Sequence, residues 1–561
     1  MNIKTERQSF FYGILLLIIL APLFCLGILN HGLWTADEPR VAEIGREMAA
    51  TGNWVVPMLN RKPFLEQPPL YYAAIAATFR VYGSVSHGVA RVPSVVFAFG
   101  GCLALFSLGR LLFGARTGFV SALILATSFE FFRVAHWLVV DSALTFFVVA
   151  TMASFTRGYL SERTRDKSLF YVLSYLSCTF AFFSKGFVGV AIPALAIFVF
   201  LIFERNLREL LRMRLWLGLC IFLAMTLPWF IGLWHQGGSE YLQVFLVRNH
   251  LQRFLAGGPT GHHQPFYYYF AGFPEGFLPW SILLVPVLYF NFRRTVDLPG
   301  RQRIGLLMLK TWFFAGFVFL SFASTKRILY LLPVFPPFAL LTAWYINTTF
   351  TKNTFLRIEK VFLWIFGIFS FVIGLAMVPV YLQAAKKCAG IASSAILVAT
   401  VAASVLVLIL SVRSLWYLYK GDAARFWAWS GGAIFAVLIF TLVAVMPVLD
   451  NFKTFVPFCE QVKARVAKGS SLYAYAPDET LRAIIPFYTG LYPKETESAA
   501  FLTEEASKGK RIFVAIRDSH GRLEDELLAT GKFNVLFRQG PKTDKSLVLL
   551  TSLMNERGLA P

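Results

Sequence analysis

The sequence predicts a polytopic α-helical membrane protein with about 13 transmembrane helices, followed by a small α/β domain. Hydrophobic residues make up 57% of the 561-residue chain and charged residues only 15%, and the mean hydropathy is +0.61. Such a composition requires lipid as solvent. The apolar residues also form long stretches separated by short charged loops, which is typical of a chain that crosses a bilayer repeatedly.

The spans follow from the apolar stretches, taking about 20 residues for each crossing. The first stretch is longer than the core of a signal peptide, and no persuasive small-x-small cleavage site precedes His31, so we expect it to be retained as an anchor. The predicted helices cover residues 10–30, 88–113, 116–135, 138–159, 168–184, 187–204, 215–235, 275–292, 306–323, 328–347, 358–382, 390–412 and 424–447.

The orientation follows from the basic residues, because cytoplasmic loops carry an excess of Lys and Arg. Alternate connections are basic, beginning with Arg110 and Arg116 and continuing with Arg157 to Lys167 and Arg205 to Arg214. This pattern places the N-terminus inside and the C-terminus outside. The formal charge of +22 is therefore interpreted as a topology signal, and we expect no nucleic-acid partner.

Two domains are predicted. Residues 1–449 form the membrane domain, with long outward loops at 31–87 and 236–274, and residues 450–561 form a soluble α/β domain outside the membrane. In the second region the apolar runs shorten to strand length, as in SLYAYA and RIFVAIRD. It contains no phosphate-binding glycine fingerprint and no catalytic constellation, so we expect removal of residues after about 455 to spare the chemistry in part.

The first outward loop carries Asp37-Glu38-Pro39-Arg40 at the start of a predicted amphipathic helix, in which Val41, Ile44 and Met48 recur at helical spacing. Asp37 could cap this helix and complement its dipole. Capping explains neither Arg40 nor the Glu66-Gln67-Pro68-Pro69 run in the same loop. We therefore favour a functional role for the loop, and both roles can hold together.

Two further charged residues lie at the outer ends of spans. A carboxylate near the hydrocarbon boundary, such as Asp141, is costly unless it faces a polar cavity or a partner, so cavity lining is favoured. Lys185, in Ser184-Lys185-Gly186, has two equally weighted interpretations. Its ammonium either extends to the lipid headgroups or lies in a catalytic cavity, where a substrate phosphate would use it.

The second long loop and a later segment add the remaining candidates. His250 with Glu66 could bind zinc, whereas hydrogen-bonded structural roles are favoured for His262 and His263. Lys326 and Tyr330 lie where headgroup anchoring is the simpler alternative. Together the outward segments hold at least four cations and three acids, which suit a phosphate-bearing lipid from which a polar group is transferred: Arg40, Lys185, Arg253 and Lys326, with Asp37, Glu66 and Asp141.

At these residues the chain resembles the polyprenyl-phosphate-dependent membrane glycosyltransferases of the C-type fold. It is most similar to the lipid A 4-amino-4-deoxy-L-arabinose transferases and more distantly similar to the protein O-mannosyltransferases. The ordered series of motifs is specific, although no single motif is. The motifs lie at Asp37–Arg40, Arg46–Met48, Gly52–Asn60, Glu66–Tyr72, Asp141, Ser184–Gly186, His250 with Arg253, and Lys326–Pro333.

The resemblance implies a sugar donor linked to undecaprenyl phosphate, lipid A or another envelope acceptor, and an active site on the periplasmic face of a bacterial inner membrane. It implies catalytic roles for Asp37 and Asp141. Glu66 and His250 could hold a divalent metal such as zinc. The residues assigned to the donor and its phosphate are Arg40, Lys185, Arg253, Lys326, Tyr330 and Gln67.

One departure from the family pattern concerns Gln67, because the family commonly has Lys at this position and the change removes a cation from the expected phosphate site. Two alternatives stay open. The acceptor could be another glycolipid or protein Ser/Thr, as in the mannosyltransferases. A lipid flippase or transporter is disfavoured, since the distinctive residues lie at the outer ends of spans and the sequence has no matching halves.

Overall fold

The computed structural model describes residues 3–34, 37–255, 262–293, 298–352, 357–387, 393–466, 470–508, 511–542 and 545–553. The chain divides into two compact units. The first, which we call the helical unit, comprises Met1–Ile28, Leu65–Tyr71 and Arg91–Val448. The second, the mixed unit, comprises Leu29–Phe64, Tyr72–Ala90 and Leu449–Pro561.

Helices make up nearly all of the chain before residue 453. Short π-helices cover Val244–Gln252 and Thr441–Val445, and 3₁₀ helices cover Trp280–Leu283 and Ile328–Val334. In chain order the α-helices are α1 (Ile3–Cys25), α2 (Asp37–Thr51), α3 (Leu70–Tyr82), α4 (His87–Phe113), α5 (Ala115–Thr127), α6 (Phe129–Ala135), α7 (Asp141–Leu160), α8 (Thr164–Lys185), α9 (Phe187–Phe203), α10 (Glu209–Arg212), α11 (Leu215–Gln243), α12 (Arg253–Leu255), α13 (Tyr268–Gly276), α14 (Leu284–Arg293), α15 (Gly300–Phe322), α16 (Phe335–Lys352), α17 (Arg357–Lys387), α18 (Ser394–Tyr419), α19 (Ala423–Phe440) and α20 (Met446–Lys453).

The predicted polytopic helical fold is confirmed, with a smaller number of long spans than expected. Among the described residues, nine helices are long and apolar enough to cross a membrane, or eleven if each of two bent helix pairs counts as one span. All thirteen predicted segments coincide with helices. Two of these helices, α8 and α9, are not counted among the long apolar spans. Helix α9 has only 17 residues, and Ser, Tyr and Lys residues make α8 less apolar.

The bend between α5 and α6 lies where a side-chain hydroxyl satisfies a backbone carbonyl, as a membrane interior requires. Helices α5 and α6 meet at 74°. At this break the Ser128 hydroxyl donates to the Leu125 carbonyl at 2.8 Å, and the Trp280 indole N–H donates to Thr127 Oγ1 at 2.9 Å. The sequence predicted one span across 116–135, and the structure bends it near its C-terminal end.

The core of the helical unit is rich in aromatic rings. Phe273 of α13 packs against Phe313, Phe335 and Phe338, and Phe277, the residue after α13, packs against Phe335 and Phe338, with ring centroids 5.1 to 5.5 Å apart and mostly near-perpendicular planes. Edge-to-face contacts of this kind add to the free energy gained from burial. They hold α13 against α15 and α16 and so fix the segment that leads to Tyr330.

The mixed unit contains the predicted α/β domain, which is confirmed. Its five-stranded sheet has the order β4-β3-β5-β7-β6, in which β3 is parallel to β4 and β5, and β7 is antiparallel to β5 and β6. Apolar clusters cover both faces, so the strands are continuous apolar runs. The elements are α21 (Val456–Arg465), β3 (Ser471–Tyr475), α22 (Glu479–Thr489), β4 (Lys494–Thr496), α23 (Ala499–Ser507), β5 (Ile512–Asp518), α24 (Arg522–Leu528), β6 (Phe533–Gln539) and β7 (Ser546–Ser552).

Helix α2 and the short antiparallel pair β1 (Met58–Leu59) and β2 (Lys62–Pro63) also belong to the mixed unit. The predicted apolar stripe of α2 is buried, with Val41, Ile44 and Met48 at most 3% exposed. At Gly45 a Cβ atom would lie 2.5 Å from Ile75, so this close approach of α2 to α3 needs a glycine. Most of the first long loop, namely residues 29–64 and 72–87, therefore belongs to the same unit as the C-terminal sheet.

Candidate active site

A cavity of about 560 Å³ lies in the helical unit and contains half of the predicted site residues. One part of its wall is apolar, formed by residues such as Phe187, Val188, Leu246, Leu251 and Leu320. The other part is polar and chemically diverse. The predicted residues that line it are Glu66, Gln67, Lys185, His250 and Tyr330.

The cation of this cavity is held by a buried ion pair. Lys185 Nζ lies 2.5 Å from Asp141 Oδ1, and the two side chains are only 12% and 3% exposed. Asp141 is in the first turn of α7 and Lys185 is the last residue of α8, and these two helices pack together. Each charge therefore complements the dipole of its own helix. Lys185 Nζ also lies 3.8 Å from the centre of the Tyr330 ring, so the structure brings three predicted residues together.

The structure explains why a glycine, Gly186, follows Lys185. Its φ is +71°, and a Cβ atom there would lie 1.9 Å from His250 Nε2. The other ring nitrogen of His250, Nδ1, is 2.7 Å from the Phe245 carbonyl and donates to it, which leaves Nε2 as the acceptor. The close packing of the glycine against the imidazole thus fixes one edge of the cavity.

Glu66 lies on the segment that enters the helical unit at Leu65. Asn249 Nδ2 donates to the Leu65 carbonyl at 3.0 Å, which ties this segment to the π-helix that carries His250. Glu66 and His250 consequently line one cavity, as predicted. Protein zinc sites generally use three or four protein ligands, and among the described residues no group of three His, Cys, Asp or Glu could hold a metal ion. Within the described chain Glu66 and His250 therefore lack a third protein ligand of these types, and no step of the chemistry below is assigned to a metal.

Gln67 contributes an amide in place of the cation that the family pattern predicts. Its Oε1 atom is buried and, within the described part of the chain, has no hydrogen-bond partner. A buried carbonyl oxygen without a donor is costly. The position therefore suits a substrate group that donates a hydrogen bond to this oxygen.

Lys326 does not line the cavity. It is 3% exposed, and its ammonium donates to the backbone carbonyls of Gln264 and Ala323. The backbone N–H of Lys326 donates to the His262 carbonyl at 3.0 Å. These bonds fasten the segment after residue 262 to the end of α15, a structural arrangement that the phosphate-binding prediction did not include. The side chain of Arg253, another predicted phosphate ligand, lies outside the described residues.

Glu130 is a buried carboxylate that the sequence analysis missed. It is 2% exposed and accepts from both Nε and Nη2 of Arg133, which lies one turn later on α6. It also interacts electrostatically with Asp141 and Arg327. The only signal in the sequence is a Glu and an Arg three residues apart at the end of an apolar stretch, and the stretch was assigned entirely to a span.

Asp37 and Arg40 lie in the mixed unit, in the first turn of α2. Arg40 Nη2 donates to Asp37 Oδ1 at 2.9 Å, and its guanidinium carbon is 5.2 Å from the centre of the Phe64 ring. The opposite side of the guanidinium, Nη1, contacts Glu479 Oε2 at the start of α22. The predicted catalytic acid and its neighbouring cation thus form a partly buried group with a third charged residue.

Comparisons with known proteins agree with the predicted resemblance. Residues 66–232 match the dolichyl-phosphate-mannose-protein mannosyltransferase family. The undecaprenyl phosphate-α-4-amino-4-deoxy-L-arabinose arabinosyl transferase of Edwardsiella ictaluri is 29% identical over 91% of this chain and 95% of its own length. That of Shewanella sediminis is 31% identical over 60% of this chain and 61% of its own length.

Solved structures agree on the fold. The crystal structure of ArnT from Cupriavidus metallidurans bound to undecaprenyl phosphate has a TM-score of 0.77, with 20% identity and coverage of 97% of this chain and 98% of that chain. Its apo state has a TM-score of 0.76. The predicted C-type glycosyltransferase fold is therefore confirmed for this polytopic membrane protein, together with the resemblance that the motifs carried.

Proposed function

We propose that this protein is a glycosyltransferase that moves 4-amino-4-deoxy-L-arabinose from undecaprenyl phosphate to lipid A. The observation that carries the proposal is the cavity of the helical unit, in which an apolar wall adjoins Lys185 and Tyr330. A lipid-linked phosphate needs an apolar surface for its lipid chain and a cation or hydrogen-bond donor for its phosphate. The arabinosyl transferase name of the Edwardsiella ictaluri relative, which is matched over 95% of its length, supports this choice of donor.

The donor would place its polyprenyl chain along the apolar wall and its phosphate at the polar end. Lys185 would neutralise the phosphate, and Tyr330 would donate a hydrogen bond from its hydroxyl. Asp141 would hold the ammonium in position, since the pair is nearly closed to solvent. A phosphate is a strong acceptor of charge-assisted hydrogen bonds, so it can bind beside an ammonium that already has one carboxylate partner.

In the transfer step an oxygen of the acceptor phosphate forms a bond to the anomeric carbon of the sugar. The bond between that carbon and the oxygen of undecaprenyl phosphate breaks, and the electron pair leaves with the phosphate. Lys185 would stabilise this developing charge. Because a phosphate acceptor is already ionised at neutral pH, Asp37 would orient it. For a hydroxyl acceptor Asp37 would instead act as general base.

The proposed site faces the periplasm from a bacterial inner membrane. What supports this orientation is the alternation of basic connections, such as Arg157 to Lys167 and Arg205 to Arg214, with the loops that carry the candidate residues. The donor is accordingly a lipid of the outer leaflet of that membrane. The match of residues 66–232 to protein mannosyltransferases supports a second candidate of the same class, transfer to a protein hydroxyl.

Mass spectrometry of lipid A tests the proposal. Lipid A from cells that express the protein is expected to carry the aminoarabinose mass increment, whereas lipid A from cells without it is not. Expression of the Asp37→Asn variant, inserted in the membrane at the wild-type level, should give unmodified lipid A. Unchanged lipid A together with a newly glycosylated protein would support the second candidate and overturn the first.

A further inference from the structure

We propose that Glu479 is a positioning residue for the Asp37–Arg40 pair, supplied by the C-terminal α/β segment. The inference rests on the proposed function, because it concerns two residues to which that function gives roles. Glu479 lies 439 residues after Arg40 in the chain. The C-terminal segment, whose sequence shows no catalytic constellation of its own, would thus complete the charged group that carries the candidate catalytic acid.

The geometry of Arg40 is the first argument. Its guanidinium is held on one side by Asp37, on the other by Glu479, and rests near the Phe64 ring. Arg40 and Asp37 are only 17% and 14% exposed as side chains. A guanidinium is a rigid planar fork, so partners on two sides fix its orientation, and its orientation in turn fixes the carboxylate that it contacts.

The rigidity of the element that presents Glu479 is the second argument. Glu479 is the first residue of α22, and the preceding Asp478 caps the helix by accepting from the Leu481 N–H at 2.9 Å. Asp478 also pairs with Arg517 of β5, which anchors this helix end to the sheet. The rest of α22 is buried through Leu481 and Ile484. A group on such a supported element holds its position better than one on a loop.

Other contacts attach the same loop to the C-terminal segment through residues outside the pair. Trp34 Nε1 donates to Asp450 at 2.7 Å, Arg46 Nη2 donates to the Tyr492 hydroxyl at 2.8 Å, and Asn60 Nδ2 donates to Glu495 at 2.7 Å. These contacts fasten the loop before, within and after α2. Glu479 contacts Arg40 itself, whereas these three contacts involve other residues of the loop, so removal of the Glu479 carboxylate should act on the pair while the loop stays folded.

A structural role must be separated from positioning, since an acid in the first turn of a helix also complements the helix dipole. Glu479→Asp makes this separation. It keeps the negative charge in the first turn of α22 but retracts the carboxylate by about one C–C bond, roughly 1.5 Å, away from Arg40. A helix-dipole role predicts little effect of this variant, whereas a positioning role predicts a clear loss of activity.

The experiment compares steady-state kinetics and thermal unfolding of the purified full-length protein in detergent. Glu479→Asp and Glu479→Ala are expected to lower kcat about tenfold, because misplacement of a catalytic group is felt mainly in the transition state. The donor KM should change by less than about twofold, and Glu479→Asp should unfold at the wild-type temperature. The matched control, Asp525→Asn, removes an exposed ion pair with Lys542 elsewhere in the mixed unit and should leave kcat unchanged.

A double-mutant cycle shows whether Glu479 acts through Arg40. In the Arg40→Ala background, adding Glu479→Ala should have no further effect on kcat. Losses that multiply, or wild-type kcat in folded Glu479→Asp and Glu479→Ala proteins, would overturn the inference. A lower donor KM in these variants would also overturn it, since Glu479 would then compete with the phosphate for Arg40. If the wild type uses another sugar or acceptor, the proposed function fails, and the same comparison is made with that substrate.

Discussion

Replacement of Lys185 by Met separates the stabilising role of the Lys185–Asp141 pair from its proposed role in catalysis. The ammonium and the carboxylate are 2.5 Å apart, and their side chains are 12% and 3% exposed. Removing one member of a buried ion pair leaves the charge of the other without its counter-ion, which costs about 3–5 kcal/mol. Since proteins are stable by about 5–15 kcal/mol, Lys185→Met should unfold at a markedly lower temperature.

The double variant Asp141→Asn/Lys185→Met removes both charges, so most of the lost stability should return. Transfer activity should not return, because both variants lack the cation proposed to stabilise the departing phosphate. Loss of one such group costs about 10²–10³ in rate. The assay is thermal unfolding in detergent, followed by tryptophan fluorescence, together with transfer from the lipid-linked donor.

The control is Arg425→Gln, which breaks a much more exposed pair with Asp422 in the same helical unit. Exposed pairs contribute only about 0.2–1 kcal/mol, so this variant should unfold near the wild-type temperature and keep its activity. The reasoning fails if Lys185→Met is as stable as Arg425→Gln, since the pair would then carry no buried charge. It also fails if the double variant transfers the sugar at the wild-type rate.

Three further predictions concern single positions. Gly186→Ala should lower kcat at least about tenfold in a folded protein. The new Cβ would lie 1.9 Å from His250 Nε2, so the imidazole would have to move. Unchanged kinetics would show that the position of the imidazole is unimportant. Gln67→Lys should lower the donor KM, since it replaces an amide whose buried oxygen has no hydrogen-bond partner in the described part of the chain with an ammonium that can pair with the donor phosphate, and a severe rise in KM would contradict this. Burial raises the pKa of Glu43 from 4.5 to about 7, so the folded protein binds more protons than the unfolded one between these values and should lose stability as the pH rises through them. Glu43→Gln should reduce this loss in unfolding measurements at about pH 5 and pH 8, and an unchanged dependence would assign it to other groups.

Local patterns in the sequence were sufficient to predict the helices from long apolar stretches, the α/β character of the C-terminal segment from short apolar runs, and the candidate residues from short motifs. These features depend on short-range patterns. A span needs about 20 apolar residues in a row, and a buried strand such as Ile512–Asp518 is a short apolar run. The Ser184-Lys185-Gly186 motif was recognised in the same way. Its sequence did not show that the glycine is needed because His250 packs against it.

The contacts between distant segments were decided by the tertiary structure alone. The sequence could not indicate that Glu479 contacts Arg40, that the Lys326 ammonium binds backbone carbonyls, or that Glu130 lies near Asp141. Each depends on which helices pack together and on where a span bends, and no local pattern records that. The residue types that the chemistry needs were therefore readable from the sequence, whereas their partners were fixed by packing over hundreds of residues.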